Sequence, residues 1–531
     1  MPRRTTRFAV ALAALAVALV FPGPAAAADF PAGKTGYHTY AEMSADVAAV
    51  AAAHPDIVQR FSIGKSYQGR ELWAAKISDN VATDEREPEV LYDGGHHADE
   101  HMGVEMTLRI LHWLVDGYGK DPRITSIVNN REVWIVFNMN PDGSEYDIRG
   151  GRFHSWRKNR QPTPGSRFIG TDLNRNYGYR WGSGGRTSSN PQAITYKGPR
   201  AWSTPESRAL RDFLASRVVG GRQQIRAAIT FHETGRLVMW PYGYTLRDIP
   251  SDMTRDDHAA LAKWGRAMAR SNGYRPQQAS DLYLTSGTSR DYAYGRYRIF
   301  SFTFEMSVRG YADDSMIPSE TGRNRGAVLF LAERAWCLHS MLGAAMTKAR
   351  CGAFDDDLEV WRGWATNPDG TDTATSVGRF SRANPASTSS SGPKQLGTVP
   401  SGSVGLVTGG PAGRSPNAND LDGRTTVRSA AFPLAKAPGQ RLTFRFVFAH
   451  DARSTSSDRV RAIVEAADGT KTTVWTRTGS RVDRDGVWRT ASISLDRWIG
   501  QTIRIRFEAV DGGPNNLVEV QLDDIRVTRP G

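Results

Sequence analysis

Residues 89–103, EVLYDGGHHADEHMG, decide how the first half of this chain is read. Val90, Leu91 and Tyr92 make a short apolar run of strand type, and Gly94-Gly95 break it. His97 and Glu100 follow, three residues apart, where a helical turn begins; side chains so spaced share one face of the turn. A neutral imidazole and a carboxylate suit zinc, so the two read as ligands of a site that other parts of the chain must complete.

Outward from this stretch, helix and strand signals alternate over residues 29–352. That argues an α/β domain with a mixed twisted sheet flanked by helices. Thr39-Tyr40-Ala41-Glu42 is a capping box opening an Ala-rich helix that runs to His54-Pro55. Strand runs fall at 72–77, 89–92, 133–137, 225–231 and 300–304. Helical spacing falls at 105–115 and 254–271, and Thr204-Pro205-Glu206 opens another helix. Asn140-Pro141-Asp142-Gly143 reads as a turn, and a long helical region from about Pro318 closes the domain.

Strand 225–231 ends on His232 and strand 300–304 on Glu305. Three strands thus deliver a His or a Glu at their C-terminal ends, the edge at which open α/β sheets bind ligands. His232 is the third metal ligand of this reading. Glu305, on a very apolar strand where burial raises its pKa, is the general base. His97, Glu100 and His232 leave a fourth position open for water, the pattern of a catalytic zinc.

Further motifs stand in order along the same region: GHHADE at 95–100, WRKNR at 156–160, DLNRN at 172–176, WPYGY at 240–244 and DLYLTSGTSRDY at 281–292. On these motifs, residues 37–340 resemble the zinc metallocarboxypeptidases of the carboxypeptidase A/B type. The resemblance implies that Arg157 stabilises the oxyanion, and that Asn174 and Arg175 grip the terminal carboxylate of the substrate. It also implies that Tyr283 covers bound substrate. Arg290, just before Asp291, takes the position at the base of the side-chain pocket, where a guanidinium favours an acidic C-terminal residue. The substrates implied are peptides and proteins with a free C-terminus, hydrolysed by a zinc-activated water with Glu305 as base. The planar fork of Arg175 suits carboxylate recognition, which makes the reaction exopeptidic.

Other readings stand beside this one. His97 to His101 also spells H-x-x-E-H, the inverted zinc motif, in which both histidines bind metal and Glu100 is the base. That assignment leaves His232 and Glu305 without a task. A related peptidase acting on cell-wall peptides, and a non-catalytic zinc-binding or adhesion protein that kept the fold, are the alternative functions.

With 531 residues the chain exceeds one core and is expected to hold two domains or more. Residues 1–28 have the form of a secretory signal: Arg3, Arg4 and Arg7, an apolar run at 8–21, and Ala26-Ala27-Ala28 for cleavage. The mature protein is expected to be secreted and extracellular, without membrane association, monomeric, and without room for an inhibitory pro-segment. The net charge of +13 is spread over many arginines, with no basic run interleaved with aromatics, which argues against a nucleic-acid partner.

From Phe354 onward the texture is different. Leu442, Phe444, Phe446 and Phe448 alternate with polar or smaller residues, as do Ile503, Ile505 and Phe507. Period-2 patterning of this kind predicts an all-β sandwich, jelly-roll-like, over residues 353–531, with a long Ser/Gly/Pro-rich loop at 386–403. Trp361, Trp364, Trp475, Trp488 and Trp498 are available for core or for a sugar or surface ligand. Asp355-Asp356-Asp357 and Asp523-Asp524 are candidate Ca2+ ligands. Cys337 and Cys351 would lie roughly 21 Å apart on one straight helix, so a disulfide requires the chain to turn near residues 340–343.

Overall fold

In the computed structural model, which describes residues 29–411, 415–513 and 515–530, the apolar runs of the first half join into one eight-stranded mixed sheet. The expected signal at 1–28 lies outside the described residues. The strands are β1 (Val58–Lys65), β2 (Glu71–Ile77), β3 (Glu89–Gly94) and β4 (Glu132–Val136). After a separate short hairpin of β5 (Val218–Val219) and β6 (Arg222–Gln223) come β7 (Ile225–Glu233), β8 (Leu237–Trp240), β9 (Arg275–Gln278) and β10 (Phe300–Met306). Their spatial order is β1-β2-β4-β3-β7-β10-β8-β9. The central four, β4, β3, β7 and β10, run parallel.

Helices cover both faces of this sheet. They are α1 (Tyr40–Ala53), α2 (Met102–Gly117), α3 (Pro122–Val128), α4 (Pro141–Asp147), α5 (Pro205–Ser216), α6 (Arg255–Asn272), α7 (Ser289–Tyr297), α8 (Ile317–Gly322), α9 (Arg325–Arg334) and α10 (Ala344–Arg350). Period-2 alternation sorts the sheet residues between the faces. Val90, Tyr92, Phe302 and Phe304 pack with Leu111 of α2, Trp264 of α6 and Leu331 of α9. Leu91 and Ala228 turn the other way, onto Leu210 and Phe213 of α5 and Tyr292 of α7. Each large side chain so buried contributes about 1.5–3 kcal/mol, and truncating Phe302 to Ala would cost about 3–5 kcal/mol. The buried parallel strands read as continuous apolar runs for this reason.

The Thr39–Glu42 capping box forms as expected, with both reciprocal hydrogen bonds. One expectation is corrected. Asn140-Pro141-Asp142-Gly143 is the start of α4, not a turn. Asn140 is the N-cap, its side chain accepting from Gly143 N, and Pro141 takes the first helical position. The helical region expected from Pro318 is built of α8, α9 and α10, with a 3-10 turn over Ser340–Leu342. Gly343, at φ 108°, supplies the backbone conformation that reverses the chain there. The reversal brings the Cα atoms of Cys337 and Cys351 to 5.3 Å, and the two cysteines are bonded.

Beyond Cys351 the chain forms two antiparallel six-stranded sheets packed as a β-sandwich. One is centred on Arg441–His450 and Val518–Val527, the other on Arg459–Ala466 and Thr502–Asp511. Leu442, Phe444, Phe446, Phe448, Ile503, Ile505 and Phe507 all lie in the shared core, as their alternation predicts. Trp364 and Trp498 are core, Trp475 packs on Phe444 and Phe446, and Trp361 is 40% exposed. The carboxylates of Asp355 and Asp524 are taken up by Arg350 and Arg526.

Candidate active site

The parallel centre of the sheet places the candidate residues side by side. Glu305 on β10 is the ladder partner of His232 on β7, and Gly94 at the end of β3 is the partner of Phe231. Beyond Gly94 the chain turns at Gly95, at φ 71°, where a Cβ would meet Asn138 Oδ1 at 2.6 Å. Only glycine fits that turn, and it carries residues 96–101 across the sheet edge before α2 begins at Met102.

His97, Glu100 and His232 converge on one point. His97 Nδ1 is 2.7 Å from Glu100 Oε1, His232 Nδ1 is 2.7 Å from Glu100 Oε2, and the two Nδ1 atoms are 3.0 Å apart. Ligand atoms about 2.0–2.1 Å from a tetrahedral zinc lie about 3.3 Å from one another, so the three atoms need to part by only about 0.3–0.6 Å to take the ion. The donor set fits as well: two imidazoles and one carboxylate, all buried. The distal nitrogens turn outward to partners. His97 Nε2 is 3.2 Å from Asp172 Oδ1, and His232 Nε2 is 3.2 Å from Asn174 Nδ2. His96 is directed elsewhere, to Tyr177 OH at 2.7 Å, and His101 to Asp147 at 3.0 Å. The H-x-x-E-H reading needs His101 in the cluster, and the structure places it outside.

The electrostatics of the cluster follow from burial and charge. Burial would raise the Glu100 carboxyl, but His97 and His232 outweigh it and hold it well below the usual range. Burial drives His232 down to about 4, which leaves its imidazole neutral, as metal ligation requires. Burial and Arg157 lower His97, and Glu100 and Asp172 outweigh them, so its pKa rises. Glu305 lines the same cleft, and burial followed by the charge of Glu100 pushes it up to about 8.

Arg157, Asn174, Arg175, Tyr283 and Arg290 line that cleft too. The guanidinium of Arg157 lies between Glu100 (3.2 Å) and Asp172 (3.2 Å). Arg175 is buried, with Nε on the Arg186 carbonyl at 2.9 Å and Nη1 on the Asn174 carbonyl at 2.8 Å. Asn174 accepts from Ser289 N at 3.0 Å, so both ends of its amide are engaged. Arg290 gives Nε to Asp291 (3.1 Å) and Nη1 to Thr303 Oγ1 (2.9 Å), while its buried Nη2 has no partner. The half-buried ring of Tyr283 sits against Arg186, whose guanidinium carbon is 5.0 Å from its centroid.

The residue that sequence reasoning missed is Asp172. It is wholly buried, it touches both His97 and Arg157, and it caps the turn that carries Asn174. Its place at the head of DLNRN is the only signal of it, and that motif points to its neighbours instead.

A family model described as zinc carboxypeptidase matches residues 43–325. A protein named zinc carboxypeptidase from Saccharothrix mutabilis subsp. capreolus is 45% identical over 320 residues, covering 59% of this chain and 73% of that protein. Carboxypeptidase A4 of Mus musculus is 31% identical over 276 residues, covering 52% of this chain; the chain spans only 63% of that relative's length. Among solved structures, carboxypeptidase A from Helicoverpa armigera superposes with a TM-score of 0.51 at 26% identity, over 58% of this chain and 75% of that one. Thrombin-activatable fibrinolysis inhibitor gives a TM-score of 0.51 at 28% identity, over 56% and 74%.

Proposed function

The chain belongs to the zinc carboxypeptidase family, and on that premise we propose that it is a secreted metallocarboxypeptidase hydrolysing the C-terminal peptide bond of peptides and proteins. Residues 29–352 are the catalytic domain of this reading and residues 353–531 an accessory β-sandwich, the whole acting as a monomer. The observation that supports it most is the meeting, in one cleft, of the His97–Glu100–His232 cluster with the carboxylate of Glu305 and the buried guanidinium of Arg175.

His97 Nδ1, His232 Nδ1 and the Glu100 carboxylate would hold one zinc ion. Zinc bound there supplies Lewis acidity, lowering the pKa of a bound water and polarising the scissile carbonyl. Glu305 takes the proton of the attacking water and passes it to the leaving amine. Arg157, fixed by Asp172, donates to the oxygen on which negative charge develops. Arg175 receives the terminal carboxylate. Asn174 assists, but its amide is already shared between His232 and Ser289, so Arg175 carries most of this contact. Tyr283 covers the substrate from the rim.

The unpartnered Nη2 of Arg290 supports a preference for acidic C-terminal residues. A buried donor without an acceptor is costly, and a substrate carboxylate would satisfy it, whereas an apolar side chain would leave it stranded. The test is hydrolysis of peptides that differ only in a C-terminal Glu, Phe or Lys, with and without a chelator. The Glu peptide should be cleaved fastest, and chelation should abolish activity until zinc is returned. Activity that survives chelation overturns the mechanism, and faster cleavage of the Phe peptide overturns the role of Arg290.

A further inference from the structure

A second cavity lies at the opposite ends of β7 and β10, where Ile225 is seven residues, about 23 Å, up the strand from His232. Both halves of the chain wall it. The β5–β6 hairpin, the start of β7 and the end of α7 form one side; residues 355–362, leaving the first strand of the sandwich, form the other.

The charges around it do not balance. Three carboxylates line the cavity, and each is already committed. Asp257 accepts from His339 Nε2 (2.8 Å) and Tyr294 OH (2.8 Å). Asp355 pairs with Arg350 and Arg526, both at 2.9 Å, and Asp357 lies 3.6 Å from Arg350. Against these stand Arg222, Arg226 and Arg362. Arg222 donates only to the Ala353 carbonyl, at 3.3 Å. Arg362 donates to the Asp355 carbonyl at 3.2 Å and keeps a long contact of 3.7 Å with Asp356. Arg226 has no hydrogen-bond or ion-pair partner among the described residues. Burial first, and then the like charges of Arg222 and Arg362, bring its guanidinium down to about 10.

We propose that Arg222, Arg226 and Arg362 form a binding site for a small doubly charged oxyanion of the phosphate type, which ties residues 355–362 to the α/β half of the molecule. Three guanidinium forks lining one cavity suit a tetrahedral oxyanion, whose oxygens can accept paired hydrogen bonds from them. Arg222 and Arg226 line the cavity from the α/β half, and Arg362 lines it from across the junction. The cavity holds about 110 Å3, room for a few waters or one such anion.

The test is titration of inorganic phosphate into the mature, zinc-loaded full chain at constant ionic strength, followed by calorimetry and by thermal unfolding. One saturable site is expected, with a Tm rise of about 5 °C at a hundredfold excess over Kd. Arg226→Gln should weaken phosphate by about tenfold or more. It should not lower the Tm of phosphate-free protein, because it removes one of three repelling cations, and its peptidase activity should be intact, which confirms folding. The proposal is overturned if no saturable heat is seen, or if sodium chloride of equal ionic strength gives the same Tm rise. It is equally overturned if Arg226→Gln and Arg362→Gln both bind phosphate as the parent does.

Discussion

The same two strands carry opposite chemistry at their two ends. Where β7 and β10 finish, His232 and Glu305 share a cleft with His97 and Glu100, an electron-rich cluster that calls for a cation. Where they begin, Arg222, Arg226 and Arg362 crowd together and call for an anion. Lys394, wholly buried, is the contrasting case: it sits between Asp483 (2.6 Å) and Asp485 (2.9 Å). A half-buried charge left uncompensated invites a ligand; one that is compensated serves the structure.

The sharpest way to break this contrast is at Glu305. Glu305→Gln should lower kcat/KM by about 10²–10⁴-fold while zinc content stays the same. Full activity in that variant would return the general-base role to Glu100. Next comes Asp172. Asp172→Asn should weaken zinc by about 10–100-fold in competition with a chelator, because His97 loses the partner that orients it. Unchanged affinity would reduce Asp172 to a turn cap. Arg290→Gln should then lower the preference for Glu-ended over Phe-ended peptides by about tenfold or more, read as a ratio of kcat/KM values.

A smaller effect separates the metal-free protein from the loaded one. Glu305 is held at about 8, above its ordinary 4.5, so between those pH values the folded metal-free chain keeps a proton that the unfolded chain has released. Stability should therefore fall as pH rises from 4.5 to 8, and denaturant unfolding of metal-stripped Glu305→Gln should show a shallower fall. Identical slopes would mean that Glu305 is more solvated than its burial indicates. Smallest of all, Arg222→Gln should leave kcat/KM within about twofold of the parent, since the two cavities have no lining residue in common. A larger loss would join the two sites into one device.

Much of the metal end was legible in the chain because the physics is local. Apolar runs ending on His232 and Glu305 announce both the strand and the residue it presents, and Gly94-Gly95 announce the turn before His97. Asp172 was not legible, because a buried Asp that orients a His and an Arg looks in sequence like any turn residue. Asn140-Pro141-Asp142-Gly143 misled for a related reason: the residues that favour turns also cap helices, and only packing decides which. The breaks between α8, α9 and α10 depend on how α9 packs against α6 and the disulfide folds the chain back, neither of which periodicity reports. The junction cavity joins Arg226 to Arg362 across 136 positions, a distance no local pattern spans.

The parallel pairing of β3 with β7 also sets a timetable. His97 and His232 are separated by 135 residues, and they meet only once these two strands lie side by side. At a synthesis rate of about 5–20 residues per second, the first histidine waits roughly 7–27 s for the second to exist. For that interval the nascent chain carries two of the three ligands, His97 and Glu100, too few donors to retain zinc against competitors. Capture of the ion is therefore a late event, and the moment at which zinc becomes hard to remove records the closing of the central sheet.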